Sequence, residues 1–144
     1  MNKYHDLVEG WRKCDLQSPP YLFPDDKEYV LGFPSSRTYH SFHEYTVSPE
    51  FGVSDINLHL GLLPMPFAGN LKKATIFVLM LNPGLSPGHY FAEEVLEFRN
   101  AHIRSLRQEN ENDDYPFIFL NPEFAWHPSF GYWQRKFHNL LRFD

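Results

Sequence analysis

Residues 72–84 read KKATIFVLMLNPG. From Thr75 to Leu81 every residue is apolar or β-branched, and polar and apolar positions do not alternate. A strand with one face in water alternates with period two, whereas a strand covered on both faces of a parallel sheet does not. The run is short, has few strong helix formers and stops at Asn82-Pro83-Gly84. Ala74–Leu81 is therefore expected to be a buried strand that runs directly into a loop. Such a strand needs parallel neighbours and packed helices, which predicts an α/β layer architecture.

Ligands of open α/β sheets bind beyond the carboxyl ends of the strands, so the loop LNPGLSPGHYF at 81–91 is the candidate site. Pro83 biases Asn82 toward extended backbone, projecting its carboxamide from the strand tip. Gly84 and Gly88 permit close backbone approach of a ligand. His89, Tyr90 and Phe91 add a titratable ring and two stacking faces.

On the N-terminal side, Tyr4, Leu7, Val8 and Trp11 lie at a spacing that predicts a short helix over residues 2–14. Residues 18–26 (SPPYLFPDD) end it, and 29–69 are Pro-rich and aromatic with weak periodicity, as expected of extended arms over a core. Downstream, Val95, Leu96, Phe98, His102, Ile103 and Leu106 form an apolar stripe, predicting a helix over Glu93–Gln108. YPFIFL at 115–120 is a second possible strand, and Trp133, Phe137, Leu140 and Leu141 predict a helix over Tyr132–Leu141. A single domain over 1–144 is expected, with an aromatic, Pro-rich arm over 1–65 and the start of an α/β core over 66–144.

Of 144 residues, 17% are aromatic and 12 are proline, which points to long aromatic-pinned loops. The formal net charge of −5 argues against coating nucleic acid through bulk positive charge. One cysteine, Cys14, allows no internal disulfide, and a reducing compartment is the default expectation. No apolar run approaches the roughly 20 residues of a membrane-spanning helix. The expected location is the cytoplasm, with no membrane partner.

The stretch LPMPFAGNLKKATIFVLMLNPGLSPG resembles the start of the uracil-DNA glycosylase superfamily domain. There a Pro-Phe-x-Gly lead-in precedes a buried first strand and a first motif, which reads Gly-x-Asn-Pro-Gly in one branch. Asn82, Pro83 and Gly84 match that motif strictly; Met80 stands where that branch has Gly. The resemblance implies a layered α/β fold with a central parallel sheet, expected to be incomplete in this chain. It also implies hydrolysis of the N-glycosidic bond of a flipped base in DNA, without a cofactor. Asn82 would orient the attacking water through its carbonyl oxygen; a carboxamide takes up no proton at neutral pH, so it positions the water. Pro83, Gly84, His89, Tyr90 and Phe91 would contact the substrate, Tyr90 or Phe91 being the stacking surface by spacing.

The superfamily's second motif is a His-Pro-Ser or Asn-Pro-Ser whose polar residue stabilises the departing base. His127-Pro128-Ser129 has that form but stands about forty residues after Asn82, too few for the intervening strands and helices. It is read as part of a long aromatic insertion, with the second motif expected beyond Asp144.

Three other readings remain at this point. The fold could be a non-catalytic module binding a nucleotide or nucleic-acid end, which the acidic charge favours. It could be an interaction domain presenting Trp126, Phe130 and Trp133 to a protein partner. A zinc site could use His40, His43 and Glu44 with His5, His59 or His89, but neither a Cys pair nor a His-Glu-x-x-His spacing supports it, and no metal is expected. Cys14 reads as an unactivated thiol, and Arg99, Arg104 and Arg107 as a solvated helix face.

Overall fold

The computed structural model describes residues 3–32, 34, 38–53, 57–80 and 84–138. The chain divides into two compact units, Met1–Pro66 and Phe67–Asp144. The content is mixed: helices together with one small parallel sheet of two strands.

In the first unit, helix α1 (Lys3–Lys13) forms as its spacing predicts. Val8, Trp11 and Cys14 are buried, while Tyr4 and Leu7 stay largely exposed, so its apolar face is narrower than the sequence suggests. Phe23 meets Trp11 edge-to-face at 5.1 Å and lies over Gly10, where any Cβ would collide with the ring. A 3₁₀ turn (Pro24–Asp26) leads into α2 (Lys27–Leu31). Strands β1 (Thr38–Tyr39) and β2 (Leu58–His59) pair in parallel, with Thr38 opposite Leu58 and Tyr39 opposite His59. The parallel pairing thus lies in the segment expected to be an arm. Between the strands, α3 (Phe42–Thr46) starts at Ser41, which accepts from Glu44 N–H, while Glu44 accepts from His40 N–H at 2.6 Å. This is the logic of a capping box. Tyr39, Tyr45 and His59 pack ring against ring at 4.8–5.4 Å.

The second unit departs from expectation where the sequence was most suggestive. Residues 74–80 form no strand, and all are exposed, Leu79 at 94%. Leu81 lies outside the described residues. A strand is completed by the backbone groups of its neighbours, and no described residue pairs with this segment. The apolar pattern records a preference for covering that the described residues meet only in part: Val78 and Met80 keep 46% and 42% of their exposure, and Tyr132 Oη lies 4.0 Å from Met80 Sδ.

The lead-in to this segment is firmly held. Asn70 Oδ1 accepts from the N–H groups of Lys72 and Lys73. Gln108, in left-handed backbone at φ 53°, accepts from Leu71 N–H at 2.7 Å and donates to the carbonyls of Gly69 and Ser105 at 2.9 Å. Gln108→Leu should therefore destabilise the protein by about 2–3 kcal/mol, since buried backbone groups lose their partner. Gln108→Gly should recover about 1 kcal/mol of that by relieving the left-handed conformation. Urea unfolding of both variants checks the order.

The sequence predicts one helix over Glu93–Gln108; two form, α4 (Gly88–Glu94) and α5 (Leu96–Leu106), separated by extended Val95. The break has an evident consequence. In one continuous helix, positions 93 and 102 would be on opposite faces and about 13.5 Å apart along the axis. With the break, Glu93 reaches His102 Nδ1 at 3.0 Å and Arg99 Nη1 at 3.2 Å. The second expected strand is instead a 3₁₀ turn, Ile118–Leu120, followed by another, Pro122–Phe124, which Asn121 caps. Pro116 and Pro122 flank this segment, and each removes a donor that a strand ladder would use. Helix α6 (Phe130–Phe137) sets Trp133 and Phe137 against Phe117. Residues 139–141, where that helix was expected to continue, lie outside the described residues.

The core of this unit is built on Phe98, 1% exposed, around which Phe119, Phe124, Trp126 and His127 are arranged. His127 is stacked on Phe98 at 4.4 Å. No helix among the described residues is long and apolar enough to cross a membrane.

Candidate functional site

The chain enters the site through a tight turn. Ser86 O accepts from His89 N–H at 3.0 Å and Pro87 O from Tyr90 N–H at 3.1 Å, which starts α4. Gly88, its first residue, faces Pro128 so closely that a Cβ would lie 2.7 Å from the proline ring. The Gly84–His89 loop therefore packs directly on the His127-Pro128-Ser129 turn, two segments expected to serve different places.

Their meeting point is His89. Its Nε2 lies 3.1 Å from Ser129 Oγ, and its Nδ1 lies 2.9 Å from Ser86 N and 3.0 Å from Ser86 O. Burial lowers the His89 pKa, against the opposing pull of the Ser86 backbone and Glu93; the nearby His102 adds to the lowering. Ser129 N–H in turn donates to His127 Nδ1 at 3.1 Å. Burial holds His127 down at about 3, with His89 and His102 contributing. Both rings are neutral at neutral pH. The arrangement offers directed hydrogen bonds rather than positive charge.

The predicted site residues divide sharply. Asn82 and Pro83 lie outside the described residues. Gly84 is exposed with open space around it. His89 is half-buried and central to the cluster. Tyr90 is in the core, 6% exposed, which corrects the expectation that its ring offers a stacking face. Phe91 is 65% exposed and meets the exposed Trp126 edge-to-face at 6.1 Å. Ser86 joins the cluster without having been singled out, Ser129 comes from the turn that was set aside as an insertion, and Trp126, read only as a partner-facing ring, lies beside Phe91. The signal for the two serines was the pair of short motifs Ser86-Pro87-Gly88-His89 and His127-Pro128-Ser129, whose proximity is a property of the folded chain.

Arg99 and Arg104 pair with Glu93 and Asp113, so both have acidic partners within the chain. An open groove of about 830 Å³ lies along α5, lined by Glu97, Arg104, Asp113, Asp114 and Glu123 among others. None of the His89–Ser129 cluster lines it, and its acidic wall is ill suited to a phosphate backbone. Among the described residues no group of three or more His, Cys, Asp or Glu is placed to hold a metal ion.

No protein-family model matches the chain, and no curated protein or solved structure matches it either.

Proposed function

We propose that the Asn82-Pro83-Gly84 motif, the Ser86–His89 turn and the His127–Ser129 turn serve one base-excision site of the uracil-DNA glycosylase type. The observation that carries this reading is the His89 Nε2–Ser129 Oγ contact at 3.1 Å. It joins the loop that follows the Asn-Pro-Gly motif to a His-Pro-Ser turn, the two motif types that chemistry of this kind brings to one substrate. A separation of about forty residues argued against such a meeting; α4, α5 and the 3₁₀ turns span it without intervening strands.

On this reading Asn82 orients a water toward the sugar carbon, and the exposed Phe91 ring stacks on the flipped base. Substrate is DNA with a damaged base, and no cofactor takes part. The reading includes a layered α/β fold with a central parallel sheet.

The test is incubation of the chain, and of any longer gene product containing it, with uracil-bearing single- and double-stranded oligonucleotides, scoring alkali-labile sites. Cleavage is expected from wild type, with a loss of about 100-fold in Asn82→Ala, the size of effect seen when a positioning group is removed. Equal cleavage by the variant rejects the role of Asn82. Absence of cleavage in every preparation rejects the enzyme.

A second reading is a non-catalytic module binding a nucleotide or nucleic-acid end. The net charge of −5 and the neutral histidines favour it. It predicts binding without turnover, weakened by Phe91→Ala.

A further inference from the structure

A peptide group without a partner is as much an unmet demand as an uncovered side chain. From Ile76 to Met80 the chain forms neither helix nor turn. None of its backbone N–H or C=O groups is hydrogen-bonded among the described residues. Ile76 is 65% exposed, Phe77 62% and Leu79 94%, with Val78 and Met80 half-covered. Both ends of the segment are nevertheless held. Ala74 N–H donates to Asn70 O at 3.0 Å, and Tyr132 Oη meets Met80 Sδ at 4.0 Å.

Chains that expose such a segment ordinarily blunt it with charge or proline. Here the nearest charges are Lys72 and Lys73, and both reach back to the Glu111 carboxylate at 3.7–3.8 Å. Residues 74–80 contain no charged residue and no proline. Their uncharged, β-branched and aromatic composition suits a segment that adds to another strand.

Whatever adds to it must itself be apolar, unpaired and of similar length. Strands β1 and β2 are two residues each and spend their backbone groups on one another. Of the described segments free of helix and turn, 76–80 is the one with five residues and no proline, glycine or charge. A second copy of the chain supplies it.

We propose that residues 76–80 are a homodimer interface, in which the runs of two copies pair as antiparallel strands about a two-fold axis at Val78. This does not rest on the base-excision reading. Charge decides the direction: parallel strands in register would set Lys72 and Lys73 beside the same lysines of the other copy, and antiparallel strands place them at opposite ends. Two-fold symmetry requires opposed residues to share a face. The register that pairs the whole run therefore sets Val78 against Val78, Phe77 against Leu79 and Ile76 against Met80. Leu79, the most exposed of the five, is then covered by Phe77.

The five residues leave roughly 500 Å² of apolar surface uncovered per copy, as much as the largest patch of a typical monomer. Two copies together hide about 1,000 Å², the lower bound for a specific interface. The dimer is therefore expected to be weak, with Kd on the order of 10 µM. An isologous contact closes at two chains.

Sedimentation equilibrium of the full chain, on both sides of that concentration, should show a monomer–dimer equilibrium. Leu79→Glu alters a side chain that lies almost wholly in solvent, so the fold should stand. It should weaken association by at least about 10-fold, because a carboxylate is set against Phe77. Under mild oxidation Val78→Cys should form a covalent dimer, since the introduced thiols face each other at a spacing a disulfide spans. Ala74→Cys should not, because its two copies lie about eight residues, or roughly 27 Å, apart along the pair. Wild type, whose one cysteine is the buried Cys14, is the control.

A chain that stays monomeric well above that concentration overturns the interface, as does a dimer that Leu79→Glu leaves unchanged. Failure of Val78→Cys to cross-link, or equal linking by both cysteine variants, overturns the antiparallel register. A ladder of larger assemblies overturns closure at two.

Discussion

Replacing Phe98 by alanine is expected to lower stability by about 3–5 kcal/mol, the range for truncating a fully buried aromatic in a packed core. Phe98 contacts His127, Phe119, Phe124 and Trp126, and its ring is 1% exposed, so a cavity there has aromatic walls on several sides. Rings of that size fill space poorly by small rotations, and relaxation into the gap is limited. Domains of ordinary stability have only about 5–15 kcal/mol in hand, so the change takes a large share. The loss should also reach the site, because Phe98 carries His127, and His127 holds the Ser129 backbone. Urea unfolding of wild type and Phe98→Ala measures the effect. Phe98→Leu should fall between them. A change below about 1 kcal/mol in the alanine variant would contradict a core built on this ring.

The second large effect is loss of stability in acid through His127. Its pKa is about 3 in the folded chain, against about 6.5 for an unperturbed histidine. Between these values the unfolded chain binds a proton that the folded chain refuses, so falling pH favours unfolding. The contribution is fully present above about pH 6.5 and is lost as pH falls toward and through about 3, of order 3–5 kcal/mol in all. His89, also lowered by burial, acts in the same direction. Burial is the main cause of the lowered value, and the neighbouring His89 of α4 and His102 of α5 add to it. His127→Asn keeps an acceptor for Ser129 N–H and removes the titration. The stability difference between wild type and this variant should therefore shrink by about 2 kcal/mol from pH 7 to pH 5. Taking the difference cancels the carboxylates that titrate in both proteins. A difference that does not move with pH would mean that His127 is protonated as easily in the fold as outside it.

The local rules that succeeded are those that depend on neighbours in sequence. Lys3–Lys13 forms a helix where apolar spacing predicts one; the Ser41–Glu44 cap and the Asn121-Pro122 turn are equally local but belong to stretches expected to be an extended arm and a long connection. The single helix predicted over Glu93–Gln108 fails at Val95, because Glu93 finds its partners on the next helix, and no periodicity encodes that.

Residues 72–84 mark the boundary between local and tertiary information most clearly. The sequence alone determined that Ile76–Met80 is a continuous apolar run ending at Asn-Pro-Gly, because composition is local. Whether such a run is a buried strand depends on partners that bring backbone donors and acceptors to it. The described residues bring none, and the run is exposed. The candidate site shows the converse. Tyr90 and Phe91 are adjacent aromatic residues that the sequence treats alike, and helix geometry turns one into the core and the other outward. Likewise the proximity of His89 and Ser129 across 40 positions was closed by α4, α5 and the turns between them. Only the packing around Phe98 decided it, since contacts so distant in sequence are specified by the shape of the whole core.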